Sequence, residues 1–146
     1  MKPYHICRGL IPDAGTGDAI VKIQLFDGSF ETGYRIISFD IAPSDWSIDP
    51  DVTVKLTTED PSTLGRAFEW DFGDNRQKGW ATYQANGASA TGNYYSEHLD
   101  DVIVEDLYIR AYSQTDQGIN YKLVLEKVNI SEYEGALALV RNSSQG

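Results

Sequence analysis

The sequence predicts an all-β fold: an antiparallel β-sandwich, jelly-roll-like, with a short C-terminal helix. Seven or eight short runs rich in β-branched and aromatic residues alternate apolar with polar side chains, the period of a half-buried strand. Turn residues separate these runs at fairly regular spacing, as in sandwiches and barrels. One helical pattern closes the chain. At 146 residues a single domain, 1–146, is expected. That length buries about two-thirds of the unfolded surface.

Residues 3–8 read as a first strand, placed at a sheet edge because Pro3 has no amide to donate. Ile11–Asp18 is a loop whose Gly15 and Gly17 lack the Lys-Ser/Thr and the helix of a phosphate cradle. Ala19–Phe26 is a strand with Val21, Ile23 and Leu25 on one face, ended by the turn signal Asp27-Gly28. Gly33–Ala42 follows, with Ile37, Phe39 and Ile41 inward, then a loop carrying Trp46. Val52–Thr58 sets Val52, Val54 and Leu56 against threonine and lysine. Ala67–Gly73 places Phe68, Trp70 and Phe72 on one core-facing stripe, and Trp80–Gln84 is a short strand. Asn86–Asn93 is small and polar, the composition of a mobile loop, closed by Tyr94-Tyr95.

The strongest periodicity lies between Asp101 and Arg141. Val102–Tyr112 and Asn120–Val128 read as the two strands of a hairpin joined by Ser113–Ile119. Ser131-Glu-Tyr-Glu134 is a capping box: the Ser131 hydroxyl accepts from the Glu134 amide and the acids suit the helix dipole. Tyr133, Ala136, Leu137 and Val140 then form one apolar stripe, with Arg141 near the end. So short a helix is marginal alone and must dock that stripe on its own sheet or on a neighbouring subunit.

A net charge of −10 argues against direct nucleic-acid binding, which needs clustered Lys and Arg. The acids crowd between Asp40 and Asp74, which fits solvated loops. The sharper readings of that crowding are calcium binding, through Asp71, Asp74 and Asn75, or docking on a basic surface. Cys7, the one cysteine, is expected as a small core residue. Residues 1–7 are too short and polar for a secretion signal, so cytosolic production is expected, and no apolar run is long enough for a membrane span.

Catalytic patterns are thin. His5 and His98 are the two histidines, far apart in sequence; a hydrolase would need one of them beside carboxylates. Asp71-Phe-Gly73 copies a kinase tripeptide without the other kinase loops. Glu105 and Asp106 are adjacent, a poor start for paired-carboxylate chemistry. Trp46, Trp70, Trp80, Tyr94 and Tyr95 can be read as a sugar-stacking platform. Trp46 and the tyrosine pair fit interface contacts better.

Asp71–Trp80, Val102–Ile109, Asn120–Lys127, Ala136–Asn142 and Ser144-Gln145 together resemble a group of small proteins encoded by bacteriophages of aquatic bacteria, over residues 68–145. That resemblance implies a virion structural component, capsid or capsid decoration, made in the host cytoplasm. It brings no catalytic residues, metal or cofactor. The partners it implies are further copies of the chain, as a homo-oligomer, and other virion proteins; the charge and hydropathy add the expectation of no direct nucleic-acid contact and no membrane. The interface residues expected are Trp46, Tyr94, Tyr95, Tyr133 and Arg141. The alternative is a carbohydrate-binding module, for instance on a tail appendage.

Overall fold

A computed structural model of the chain describes residues 4–13, 18–26, 28, 31–45, 47, 51–60, 64–86, 89–95, 102–115 and 117–143. The elements are β1 (Tyr4–Ile11), β2 (Ala19–Ile23), β3 (Thr32–Pro43), β4 (Asp51–Thr57), β5 (Gln77–Asn86), β6 (Ser89–Tyr95), β7 (Leu107–Ser113), β8 (Ile119–Asn129) and α1 (Glu132–Asn142). They form two antiparallel sheets, one of three strands in the order β1-β8-β3 and one of five in the order β2-β7-β4-β5-β6. The fold is therefore the all-β sandwich with a short C-terminal helix that the alternation predicts.

Strand period explains the core. Phe39, Leu123 and Leu125 of the smaller sheet meet Val52, Val54, Leu56, Leu107 and Ile109 of the larger, all fully buried. Their even or odd spacing puts each set on one side of its pleat. Gly79 faces the same layer, where an added Cβ would touch Leu56 and Phe39. At the start of β3, a Cβ on Gly33 would collide with Val102 Cγ1. The chain crosses there closely enough for Tyr34 and Ile103 to exchange two backbone hydrogen bonds of 2.8 Å.

Several expectations are corrected. The segments around β7 and β8 are not a hairpin: β7 pairs with β2 and β4, while β8 pairs with β1 and β3. Their apolar faces meet across the sandwich, because alternation says which face is buried and not which strand lies alongside. The strand itself starts at Leu107, later than expected. Ile37 points outward, 45% exposed, and Ile36 takes the inner place at 4%. A β-bulge between Ile36 and Ser38 shifts the register and turns the pleat over.

Residues 89–93, expected in a mobile loop, belong to β6 and pair with β5, Thr82 opposite Asn93 and Gln84 opposite Thr91. Phe68, Trp70 and Phe72 are not a core stripe. Their backbone runs through turns, with Phe68 and Phe72 exposed and Trp70 half-buried. Cys7 is half-buried against the core, and that burial pushes its thiol pKa up.

The α1 cap forms as expected: Ser131 Oγ accepts from the Glu134 amide at 3.1 Å, and Gly135 N–H donates to the Ser131 carbonyl at 2.9 Å. Of the two docking alternatives for the apolar stripe, its own sheet is excluded for the described side chains. Ala136, Leu137 and Val140 face outward, and the side turned to the body carries Gly135, Ala138, Leu139 and Asn142. The polar anchor Asn142 decides this rotation. It is buried at the helix end, its carbonyl accepting from Thr58 Oγ1 at 2.7 Å and its Nδ2 donating to the Val102 carbonyl at 3.0 Å.

Candidate functional site

The outer face of the five-stranded sheet carries the densest chemistry. With Val52, Val54 and Leu56 inward, the pleat turns Thr53, Lys55 and Thr57 outward, beside Arg110 of β7 and Trp80 of β5. Residues 64–76, from the connection between β4 and β5, fold back over this face. Lys55 is thereby fully buried, its Nζ donating to the carbonyls of Leu64 at 2.6 Å and Glu69 at 2.9 Å. Burial lowers its pKa first and the Arg110 charge second, against the opposite pull of Glu69, Asp18 and Asp74.

Asp18 ties the cover to two strands. Arg66 donates to its Oδ1 from Nε at 2.9 Å and Nη2 at 2.7 Å, the Ala67 amide donates to Oδ2 at 2.8 Å, and Arg110 Nε donates to the same Oδ2. Burial works to raise the Asp18 pKa, but these donors outweigh it and hold the carboxyl below its usual range. The Arg66 guanidinium also lies over the rings of Phe68 and Tyr112, at 4.9 and 5.5 Å. Further along, Gln77 Oε1 accepts from Trp80 Nε1 and from the Asp71 amide, each at 3.0 Å, and Phe72 meets Trp80 edge-on at 4.5 Å.

A second polar site lies at the end of α1. Both Glu105 carboxyl oxygens and Asn142 Oδ1 are buried without a hydrogen bond of good geometry. Burial raises the Glu105 pKa to about 7, against the weaker opposing influences of its own backbone, the Asn142 side chain, Val104 and Lys78.

Chemically, the first network is a clasp. Its cations meet carboxylates or carbonyls, and it presents no activated nucleophile. Asp74, one of the acids considered for calcium, is buried and takes Arg76 Nε at 2.9 Å and Nη2 at 2.8 Å. Asp71 Oδ1 accepts from the Gly73 amide at 3.0 Å. Among the described residues, no group of three or more His, Cys, Asp and Glu is placed to hold a metal ion. His5 is exposed on β1, while His98 lies outside the described residues. A small, partly open pocket lined by Ile11, Ala19, Ala111, Ser113, Gln117 and Ile119 has a volume of about 10 Å³, room for a single water.

The expected contact residues fall in separate places. Trp46 lies outside the described residues. Tyr94 and Tyr95 belong to β6, opposite Ala81 and Trp80, at the edge of the larger sheet. Tyr133 and Arg141 belong to α1, with Arg141 exposed in the last turn. The side chains of Tyr94, Tyr95 and Tyr133 lie outside the described set. Besides the exposed Phe68 and Phe72 on the cover, apolar side chains stand exposed in groups on two elements among the described residues. One is the outer side of α1, where Leu137 is 52% and Val140 68% exposed; the other is β1, with Tyr4, Ile6 and Leu10 at 46%, 55% and 57%.

Sequence reasoning missed Asp18, Lys55, Arg66 and Arg110 as a group. A signal was present at Lys55, a lone cation in the middle of an otherwise β-branched and apolar strand. It also missed Glu105 as a buried acid, since nothing local distinguishes it from Asp106. Asp106 accepts instead from the amides of Leu25 and Phe26 at 2.8 and 2.9 Å. Comparison of the chain with protein-family models, with curated proteins and with solved structures finds no match.

Proposed function

We propose that the chain is a bacteriophage virion structural protein, a capsid or capsid decoration protein that works by self-association and docking. The observation that carries this reading is a contrast. The polar network of the sandwich is spent on holding the fold together, while apolar side chains stand exposed on α1 and β1. Exposed apolar patches on a folded domain mark interaction surfaces. The strand order supports it too: β1-β8-β3 and β2-β7-β4-β5 are neighbours compatible with a jelly roll, an architecture used by viral capsid and lectin domains. A regular jelly roll would set the sixth strand beside the third; here β6 stays paired with β5.

Light scattering after size exclusion, with and without EDTA, tests the self-association. A discrete oligomer or shell supports it, and EDTA sensitivity would bring metal ions into the assembly. Mass spectrometry of phage particles from cells that express the chain tests the virion assignment directly. Absence of the chain from those particles overturns it.

A glycan-binding reading is favoured by one feature, the exposure of Phe68 and Phe72 along residues 64–76. Trp80, by contrast, is buried beneath them and offers no face to a sugar. Specific binding on a glycan array by a monomeric protein would move the assignment to that class.

A further inference from the structure

We infer that β1 is a self-pairing edge: it adds antiparallel to β1 of a second copy, about a two-fold axis at Ile6, joining the two three-stranded sheets into one. The inference deepens the assembly reading and rests on it in one respect, that the partner is another copy of this chain.

An unpaired strand edge is a template for another strand, and proteins normally guard it with bulges, prolines, short length or covering segments. The other edge of the same sheet, β3, is guarded. It carries the bulge at Ile36/Ser38, the bridge from Tyr34 to Ile103, and Pro43 at its end. In the larger sheet the edge strands are β2, of five residues, and β6, of seven, both shorter than β1. β1 is long and carries no bulge, and the prolines near it, Pro3 and Pro12, flank the strand in sequence and leave its eight residues free of proline. It runs eight residues in unbroken register with β8, and among the described residues no strand pairs with its other side. Tyr4, Ile6 and Leu10 stand exposed on its outer face.

The partner follows from charge and register. The chain carries a net charge of −10, so two copies repel over most of their surface, but Tyr4–Ile11 contains no acid. With the axis at Ile6, Ile6 faces Ile6 of the second copy. Each is flanked by Val124 of its own β8, its partner in the existing register. Tyr4 then faces Arg8 of the second copy, and the residue beyond Tyr4 is Glu126. The crossing Arg8 thus finds an aromatic face and, beyond it, the Glu126 carboxylate, which it shares with Arg35 at 3.6 Å, on each side of an apolar centre. Such cross-strand pairs are the unit by which sheets gain stability.

The test is sedimentation velocity on the full chain, wild type beside Ile6→Lys, with hydrogen exchange at low and high protein concentration. The expected result is a concentration-dependent dimer with exchange protection gained across Tyr4–Arg8. Ile6→Lys, at an exposed position, should weaken the dimer by about tenfold or more with no change in melting temperature. A dimer that survives Ile6→Lys, or protection gained elsewhere, overturns the β1 edge while leaving self-assembly in place. A wild type that stays monomeric to its solubility limit also overturns it, and the presence of the chain in phage particles then decides the virion reading separately.

Discussion

Asp18 and Arg66, 48 positions apart in the chain, are joined by two hydrogen bonds from one guanidinium to the same carboxylate oxygen, with the Asp18 side chain 1% exposed. This bond, completed by the Ala67 amide and Arg110, fastens the cover of the larger sheet to β7 and to the residue before β2.

Removing the acid should leave two guanidinium groups without their shared counter-charge. Asp18→Ala is expected to cost about 3 kcal/mol in urea unfolding, as for a broken buried pair. The depressed pKa gives a direction in pH as well. The stability from Asp18 is present above the unfolded carboxyl value of 3.8 and is lost as pH falls through the lower folded value. Acid titration of unfolding should therefore show a shoulder in wild type that Asp18→Asn lacks.

Lys55→Met keeps the volume and removes the donor to the Leu64 and Glu69 carbonyls. A loss of roughly 1–3 kcal/mol is expected for unsatisfied acceptors. The local consequence is more specific: trypsin should cleave after Arg66 faster in the variant, measured by mass of the fragments, because the cover opens without the ammonium beneath it.

Glu105 titrates in the opposite sense to Asp18. Its folded pKa, about 7, lies above the unfolded 4.5. Its contribution is thus complete below the unfolded value and is lost as pH rises through the folded one. Wild type should lose up to roughly 3 kcal/mol from this group between about pH 5 and pH 8. Glu105→Gln should flatten that dependence and melt higher than wild type at about pH 8. Protection factors near Asn142, with the intrinsic rise of exchange with pH divided out, should fall in wild type over the same range and hold steady in Glu105→Gln.

The bulge in β3 separates two neighbouring isoleucines. Ile36→Ala is expected to cost about 2–4 kcal/mol as a core truncation. Ile37→Ala should stay within about 0.5 kcal/mol, as at other exposed positions. Equal effects from the two would contradict the register shift.

The sequence by itself determined the class of fold and the location of most strands. It also determined the inward residues of β4 and the Ser131 cap, because each is set by local period or by a bond within one turn of helix. The partners of β7 and β8 were decided by the tertiary structure alone, since a strand's alternation is the same whether its apolar face looks at the next strand's sheet or at the opposite one. The outward turn of Ile37 depended on one inserted residue, which reverses every later side chain on the pleat and leaves no compositional trace. The outward turn of the α1 stripe had a similar origin. Leu137 and Val140 make the more apolar stripe, yet Asn142, bonded to Thr58 and Val102 at distances of 84 and 40 residues, holds the other side inward. Buried polar groups such as Asn142, Lys55 and Asp18 take their partners from distant parts of the chain, so their roles emerge only once the chain has folded.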